Sequence, residues 1–188
     1  SEKARILVIE DRSFESEKFV ETLRRDDDIV VTARTGEQAM AQARENEFDM
    51  ITVSLGLAGE DGLRLCSYLR SNERTRAVPI LMVGVETDMR RIAQGLEMGA
   101  HDYILRPVDK NELMARVLTQ MRRKRYHDRL RSNYEASLSL ALTDSLTGLF
   151  NRRYLMVHLQ KMIKKNVESQ KTLAVMALDI DHFKKVND

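Results

Sequence analysis

Two adjacent acids, Glu10 and Asp11, close the short apolar run at residues 6–9. A β-branched run ended by acid reads as a buried strand whose tip carries carboxylates. Oxygens at such a tip suit a hard divalent ion such as Mg²⁺, which is usually held by a few carboxylates together with phosphate and water. The bland alternative is a pair of solvated loop acids. A second run of this kind, residues 173–180, reads as a buried strand ending in Asp179-Ile180-Asp181, and acids at a strand end again suggest a metal. The one cysteine, Cys66, lies in Leu63-Arg64-Leu65-Cys66-Ser67-Tyr68-Leu69 and reads as small core filler. A single cysteine excludes an internal disulfide framework and any multi-Cys metal site, and it fits a reducing cytosol.

The elements that must position these residues alternate. Strands are expected at 6–9, 29–33, 48–55, 79–83 and 102–105. Helices are expected on the face marked by Phe19, Val20 and Leu23, then at 36–44, 62–71, 88–98 and from about Asn111. Five strands alternating with five helices imply a parallel sheet covered on both faces, because parallel strands need crossover connections. The crevice of such a sheet lies at the carboxyl ends of its strands. That places Glu10, Asp11, Ser54, Gly84 and Arg106 together.

The last helix has neither proline nor glycine from Asn111 to about Ala141 and could reach about 45 Å at the α-helical rise. Its middle, Arg122-Arg123-Lys124-Arg125, is basic. Tyr126, Leu130, Tyr134 and Leu138 recur every four residues and make one apolar stripe suited to a partner helix. The run is too short and irregular to read as a coiled coil.

A chain of 188 residues accommodates one comfortable domain plus part of another. Charged residues at 32% beside hydrophobic residues at 43% allow a buried core under a solvated surface. The net charge of +2 is too small to argue for a nucleic-acid or membrane partner. No stretch approaches the roughly 20 apolar residues of a membrane span, and no secretion signal opens the chain, so a cytoplasmic setting is expected.

Phe48-Asp49-Met50-Ile51, Gly62-Leu63-Arg64-Leu65-Cys66, Pro79-Ile80-Leu81-Met82, Gly95-Leu96-Glu97-Met98-Gly99-Ala100-His101-Asp102-Tyr103 and Arg106-Pro107-Val108 occur in this order. The series resembles the receiver domain of two-component response regulators over about residues 4–120. The resemblance implies a flavodoxin-like, doubly wound, five-stranded parallel sheet. It also implies a phosphoryl-accepting aspartate at the end of the third strand, completed by a Ser or Thr and a Lys. Here Ser54 holds the aspartate's position, Gly84 that of the hydroxyl residue and Arg106 that of the lysine. A neutral hydroxyl with no evident base beside it is a weak nucleophile, and the planar fork of Arg does not reproduce a compact ammonium. The pocket of Glu10, Asp11, Ser54, Gly84 and Arg106 is therefore read as degenerate. Whether Glu10 and Asp11 still hold a cation is open.

Asp144-x-Leu146-Thr147-Gly148-Leu149-x-Asn151-Arg152-Arg153 and Asp179-Ile180-Asp181-His182-Phe183-Lys184-x-x-Asn187-Asp188 look like the opening of a GGDEF domain, the diguanylate cyclase family. Read without the resemblance, the first stretch is a helix terminus followed by a turn. The resemblance implies that Asp179 and the Ile180 backbone bind Mg²⁺, that Lys184 meets a substrate phosphate and that Asn187 bonds guanine. Two GTP would be joined into cyclic di-GMP between two such domains. The second metal carboxylate and the GG motif are not among these residues, so the fragment alone is expected to be inactive.

The whole is similar to PleD-like response regulators. Residues 1–122 are expected to form a receiver-like adaptor, 123–142 a signalling helix and 143–188 the start of the cyclase domain. An upstream receiver and a homodimer through receiver faces and the long helix are the implied partners, with Arg90, Arg91, Glu112 and Arg116 at the fourth- and fifth-helix face. The competing reading is a phosphorylatable receiver that controls a binding partner. A third, a DNA-binding regulator, would need a winged helix where the cyclase opening stands.

Overall fold

The computed structural model describes residues 3–25, 28–169, 172–179 and 181–182. Short strands and helices alternate: β1 (Arg5–Ile9), α1 (Ser13–Leu23), β2 (Ile29–Ala33), α2 (Gly36–Glu45), β3 (Met50–Ser54), α3 (Gly62–Ser71), β4 (Ile80–Gly84), α4 (Met89–Glu97), β5 (Asp102–Leu105), α5 (Lys110–Leu142) and α6 (Arg152–Ser169). The five strands form one parallel sheet in the order β2-β1-β3-β4-β5. This is the doubly wound architecture expected from the alternation.

Side chains alternate across a strand, and each face of the sheet has its own core. Leu7, Ile9, Ile51, Val53, Ile80 and Met82 pack with Ala39, Ala43, Leu65, Leu69 and Ile92 of α2, α3 and α4. On the other face Ile6, Val8, Met50, Leu81, Val83 and Ile104 pack with Phe19 and Leu23 of α1 and Leu113, Val117 and Met121 of α5. Cys66 is part of the first core, and burial pushes its thiol up to about 12. It is an inert filler, as expected.

The order of β1 between β2 and β3 puts the reversal of strand order at the carboxyl end of β1 and β3, where ligand crevices form. Helices start there with side-chain caps: Thr35 accepts from the Gln38 N–H at 3.2 Å, and Asp61 accepts from the Leu63 N–H at 3.0 Å. α3 begins so close to β3 that a Cβ on Gly62 would lie 2.2 Å from the Ser54 carbonyl oxygen and 2.6 Å from the Leu55 Cα. Only glycine lets the helix start against the strand tip.

The chain divides into two compact units, residues 1–130 and 131–188. In the second, Thr143 and Phe150 form an isolated antiparallel bridge ahead of α6, a helix the sequence reading did not single out. The strand expected at 173–180 is not formed over described residues 172–179, where Val175, Met176 and Leu178 are exposed. A strand needs a neighbour to take its hydrogen bonds and cover its apolar face. The described residues 131–182 contain no other strand. Tyr126, Leu130, Tyr134 and Leu138 are all exposed on α5, while Lys124–Asp128 (2.8 Å) and Arg131–Glu135 (2.9 Å) pair along the same helix.

Gly62→Ala forces a methyl group into backbone atoms that cannot rotate away. It should lower stability by about 2 kcal/mol or more, the cost of overpacking a rigid contact, as read by urea unfolding. A midpoint equal to that of the wild type would show that α3 can shift freely.

Candidate functional site

The carboxyl end of the sheet gathers the five residues expected there. Glu10 follows β1, Ser54 ends β3, Gly84 ends β4 and Arg106 follows β5. Glu10 and Ser54 are almost fully buried. Arg106 Nη2 forms an ion pair with Glu10 Oε2 and donates to Ser54 Oγ at 3.3 Å, while its Nε lies 3.8 Å from Glu15 Oε2. The Arg106 backbone N–H donates to the Gly84 carbonyl at 2.8 Å, which anchors the end of β5 to that of β4. A Cβ on Gly84 would come within 3.1 Å of Asp88 Oδ2 and 3.3 Å of Ile92 Cδ1, leaving little room for a hydroxyl-bearing side chain.

The two acids have different surroundings. Glu10 Oε1 accepts the Arg12 N–H at 3.0 Å, and Asp11 Oδ2 accepts the Ala58 N–H at 2.8 Å. Asp11 Oδ1 is buried and has no hydrogen-bond partner among the described residues. Burial pushes the Glu10 carboxyl above its ordinary value, helped by the neighbouring Asp11, and the opposing pull of the Arg12 N–H and the Arg106 charge does not cancel it. Burial also acts upward on Asp11, but the Ala58 N–H, with the Arg12 charge behind it, brings it below the usual value.

This arrangement can neutralise charge, but it does not fit a divalent ion. Mg²⁺ requires near-octahedral oxygen ligation. Glu10 is committed to Arg106 and Arg12, Ser54 contributes a neutral hydroxyl, and Asp11 Oδ1 is the buried oxygen left without a hydrogen-bond partner among the described residues. Among the described residues no three His, Cys, Asp or Glu side chains gather as a metal-binding group. Nor does any carboxylate occupy the tip of β3: Asp49 precedes the strand and accepts the Arg5 N–H at 2.9 Å, and Asp61 caps α3.

Two partners in this region were not legible in the sequence. Glu15 reaches Arg106 from the first turn of α1. Arg91 of α4 crosses to the β3–α3 loop, where it donates to the Leu55 carbonyl at 3.3 Å and pairs with Asp61 at 2.5 Å and Asp88 at 3.3 Å. Only the Asp88–Arg91 spacing could have signalled it. Arg116, also expected at the dimer face, pairs within its own chain with Asp102 at 2.7 Å and Glu112 at 2.8 Å.

In the second unit Asp144 Oδ1 accepts the N–H groups of Leu146 (3.2 Å) and Thr147 (3.0 Å) and the Thr147 hydroxyl (2.9 Å), and Gly148 turns at φ +70°. Hydrogen bonds from Thr147 hold the Asp144 carboxyl below its usual value. Asn151 caps α6 by accepting the Tyr154 N–H at 3.0 Å and donates back to the Ala141 carbonyl at 2.8 Å. The motif therefore builds a turn and a helix start. Asp179 lies in the exposed segment beyond, and Ile180, Lys184 and Asn187 lie outside the described residues.

The sequence profile of the response regulator receiver domain matches residues 6–118. The chain belongs to the response regulator receiver family. Residues 141–188 match the diguanylate cyclase GGDEF domain. The chain is 39% identical over 184 residues to the response regulator PleD of Caulobacter vibrioides (strain NA1000 / CB15N), covering 98% of this chain and 40% of PleD. It is 36% identical over 121 residues to the DNA-binding response regulator MtrA of Mycobacterium tuberculosis (strain ATCC 25618 / H37Rv), covering 64% of this chain and 52% of MtrA. It thus spans about half, or less, of the length of these relatives. Among solved structures it resembles a putative response regulator from Chloroflexus aurantiacus J-10-fl, with a TM-score of 0.60 and 31% identity over 64% of this chain and 98% of that one. The receiver fold is shared with the Chloroflexus protein. No helix of the described residues is long and apolar enough to cross a membrane.

Removing the Arg106 guanidinium leaves the Glu10 carboxylate buried without its counter-charge. Arg106→Ala should cost about 3–5 kcal/mol of stability at neutral pH. The sign with pH follows from the raised Glu10 carboxyl. Such a group adds stability below its unfolded value of 4.5 and loses it as pH rises through the folded value. Without Arg106 the folded value rises further, so the deficit of the variant should shrink as pH falls toward 4.5. Denaturant unfolding at several pH values reads this, and a pH-independent deficit would contradict it.

Proposed function

We propose that this chain is the adaptor and dimerisation module of a two-component response regulator whose output domain is a diguanylate cyclase, and that its receiver relays contacts without accepting a phosphoryl group. The observation that carries the reading is the neutral Ser54 hydroxyl at the tip of β3, hydrogen-bonded to Arg106, where a phosphoacceptor would need a carboxylate. A hydroxyl in that place has no base to activate it. The group it bonds is a guanidinium, which cannot take a proton and is itself paired with Glu10.

On this reading the partners are an upstream receiver domain and a second copy of the chain, meeting through the α4–α5 face and the long helix α5, in the cytoplasm. The cyclase part would bind GTP. Asp179 and the Ile180 carbonyl are hard oxygen donors of the kind Mg²⁺ takes, and Lys184 and Asn187 suit a phosphate and a guanine edge. Mg²⁺ there would polarise the phosphates while two GTP, one on each cyclase domain, are joined. Helix α5 would transmit the change, because it begins in the receiver core and leads into the cyclase segment.

Incubated with acetyl phosphate and Mg²⁺, this chain should gain no mass from phosphorylation, and beryllofluoride should leave its unfolding midpoint unchanged. A stoichiometric acyl phosphate would falsify the adaptor reading in favour of a phosphorylatable receiver. With GTP and Mg²⁺ the 188 residues alone should yield no cyclic di-GMP by chromatography; detectable product would contradict their assignment as an incomplete cyclase.

A further inference from the structure

Around Arg106 the receiver pocket has the chemistry of a cation site that is already filled. Glu10 Oε2 pairs with Nη2, Ser54 Oγ lies 3.3 Å from the same nitrogen, and Glu15 Oε2 is 3.8 Å from Nε. The arginine side chain is only 11% exposed, and its backbone N–H is tied to the Gly84 carbonyl at 2.8 Å. Strand β5 thus delivers a fixed positive charge to the place where oxygens from the ends of β1 and β3 converge. The fork matters here, because one guanidinium faces a carboxylate, a hydroxyl and a second carboxylate at once, whereas an ammonium is a single point of charge.

A divalent ion entering this pocket would meet one carboxylate oxygen without a hydrogen-bond partner, Asp11 Oδ1. The other Asp11 oxygen holds the Ala58 N–H, and both Glu10 oxygens are engaged. The ion would also meet the repulsion of a neighbouring charge that cannot be titrated away. We infer that Arg106 is the internal counter-ion of this pocket, standing in for the divalent cation, and that it, more than the serine at the β3 tip, keeps metal and phosphoryl groups out. The inference deepens the adaptor reading and rests on it. It makes restoration of the site a problem of two residues: a carboxylate added at position 54 is neutralised by the guanidinium within reach, and a metal is required only when that guanidinium is also withdrawn.

The test compares the wild-type chain with S54D, S54D/R106M and S54D/R106Q. Each is titrated with Mn²⁺, the free ion being followed by electron paramagnetic resonance, and each is unfolded thermally with and without Mg²⁺. Wild type and S54D should leave Mn²⁺ free and show no shift of midpoint with Mg²⁺. S54D/R106M brings together three carboxylates with no counter-charge. It should bind Mn²⁺ at least about a hundredfold more tightly than S54D, the effect of lifting a unit positive charge from a few ångströms away, and Mg²⁺ should raise its midpoint by mass action. Should S54D/R106M fail to fold even with Mg²⁺, S54D/R106Q reads the same effect in the same direction, since it too removes the positive charge while keeping a polar side chain.

Metal binding by S54D as tight as that of the double variants overturns the inference, as do folded double variants that bind none. Tight Mn²⁺ binding by the wild type also overturns it. The two levels of the argument fail differently. Phosphotransfer to the wild type removes the adaptor reading itself, whereas a silent wild type beside a metal-binding S54D removes only the role given to Arg106.

Discussion

A carboxylate buried at the end of a parallel strand has to be neutralised, and the way this is done decides what the rest of the pocket can be. Glu10 is almost completely withdrawn from water at the end of β1, where its charged form is disfavoured. Its counter-charge arrives from the far side of the sheet: Arg106, at the end of β5, passes across the tip of β3 to reach it. One ion pair thereby joins strands separated by two others in the sheet. The same nitrogen bonds Ser54, and Glu15 adds a second acid from α1. The pocket is held closed by its own charges.

The surrounding architecture is arranged around that closure. Gly62 lets α3 start against the Ser54 carbonyl, and Gly84 lies close beside Asp88 and Ile92. Arg91 fastens α4 to the β3–α3 loop through the Leu55 carbonyl and Asp61. Two arginines from two different elements therefore tie the β4–α4 and β5 ends to the centre of the sheet by fixed positive charge.

The second unit illustrates a different constraint. Its stretch from Asp144 to Asn151 folds locally, through short side-chain-to-backbone bonds and a left-handed glycine, because those interactions span only a few residues. The apolar segment at 172–179 has no such local solution. A strand of that composition becomes ordered in a sheet, and the described residues of the unit contain no strand for it to join. Its side chains Val175, Met176 and Leu178 stay exposed, which is why the pattern of the segment and its structure disagree.

Much of the receiver was legible in the order of residues alone. Short continuous apolar runs with helical stripes between them imply a parallel sheet with two covered faces, since parallel strands need crossover connections. Strand ends then place Glu10, Asp11, Ser54, Gly84 and Arg106 in one crevice, and the receiver resemblance implies that an alcohol stands there where an acid is expected. What the sequence did not contain was the partnership among them. That Arg106 is directed at Glu10 and Ser54 at once, that Glu15 and Arg91 join the network, and that Asp11 keeps one oxygen without a partner are consequences of side-chain reach between elements far apart in the chain. Composition and spacing decide which charges meet at a strand end; only the packed tertiary structure decides which of them neutralise one another.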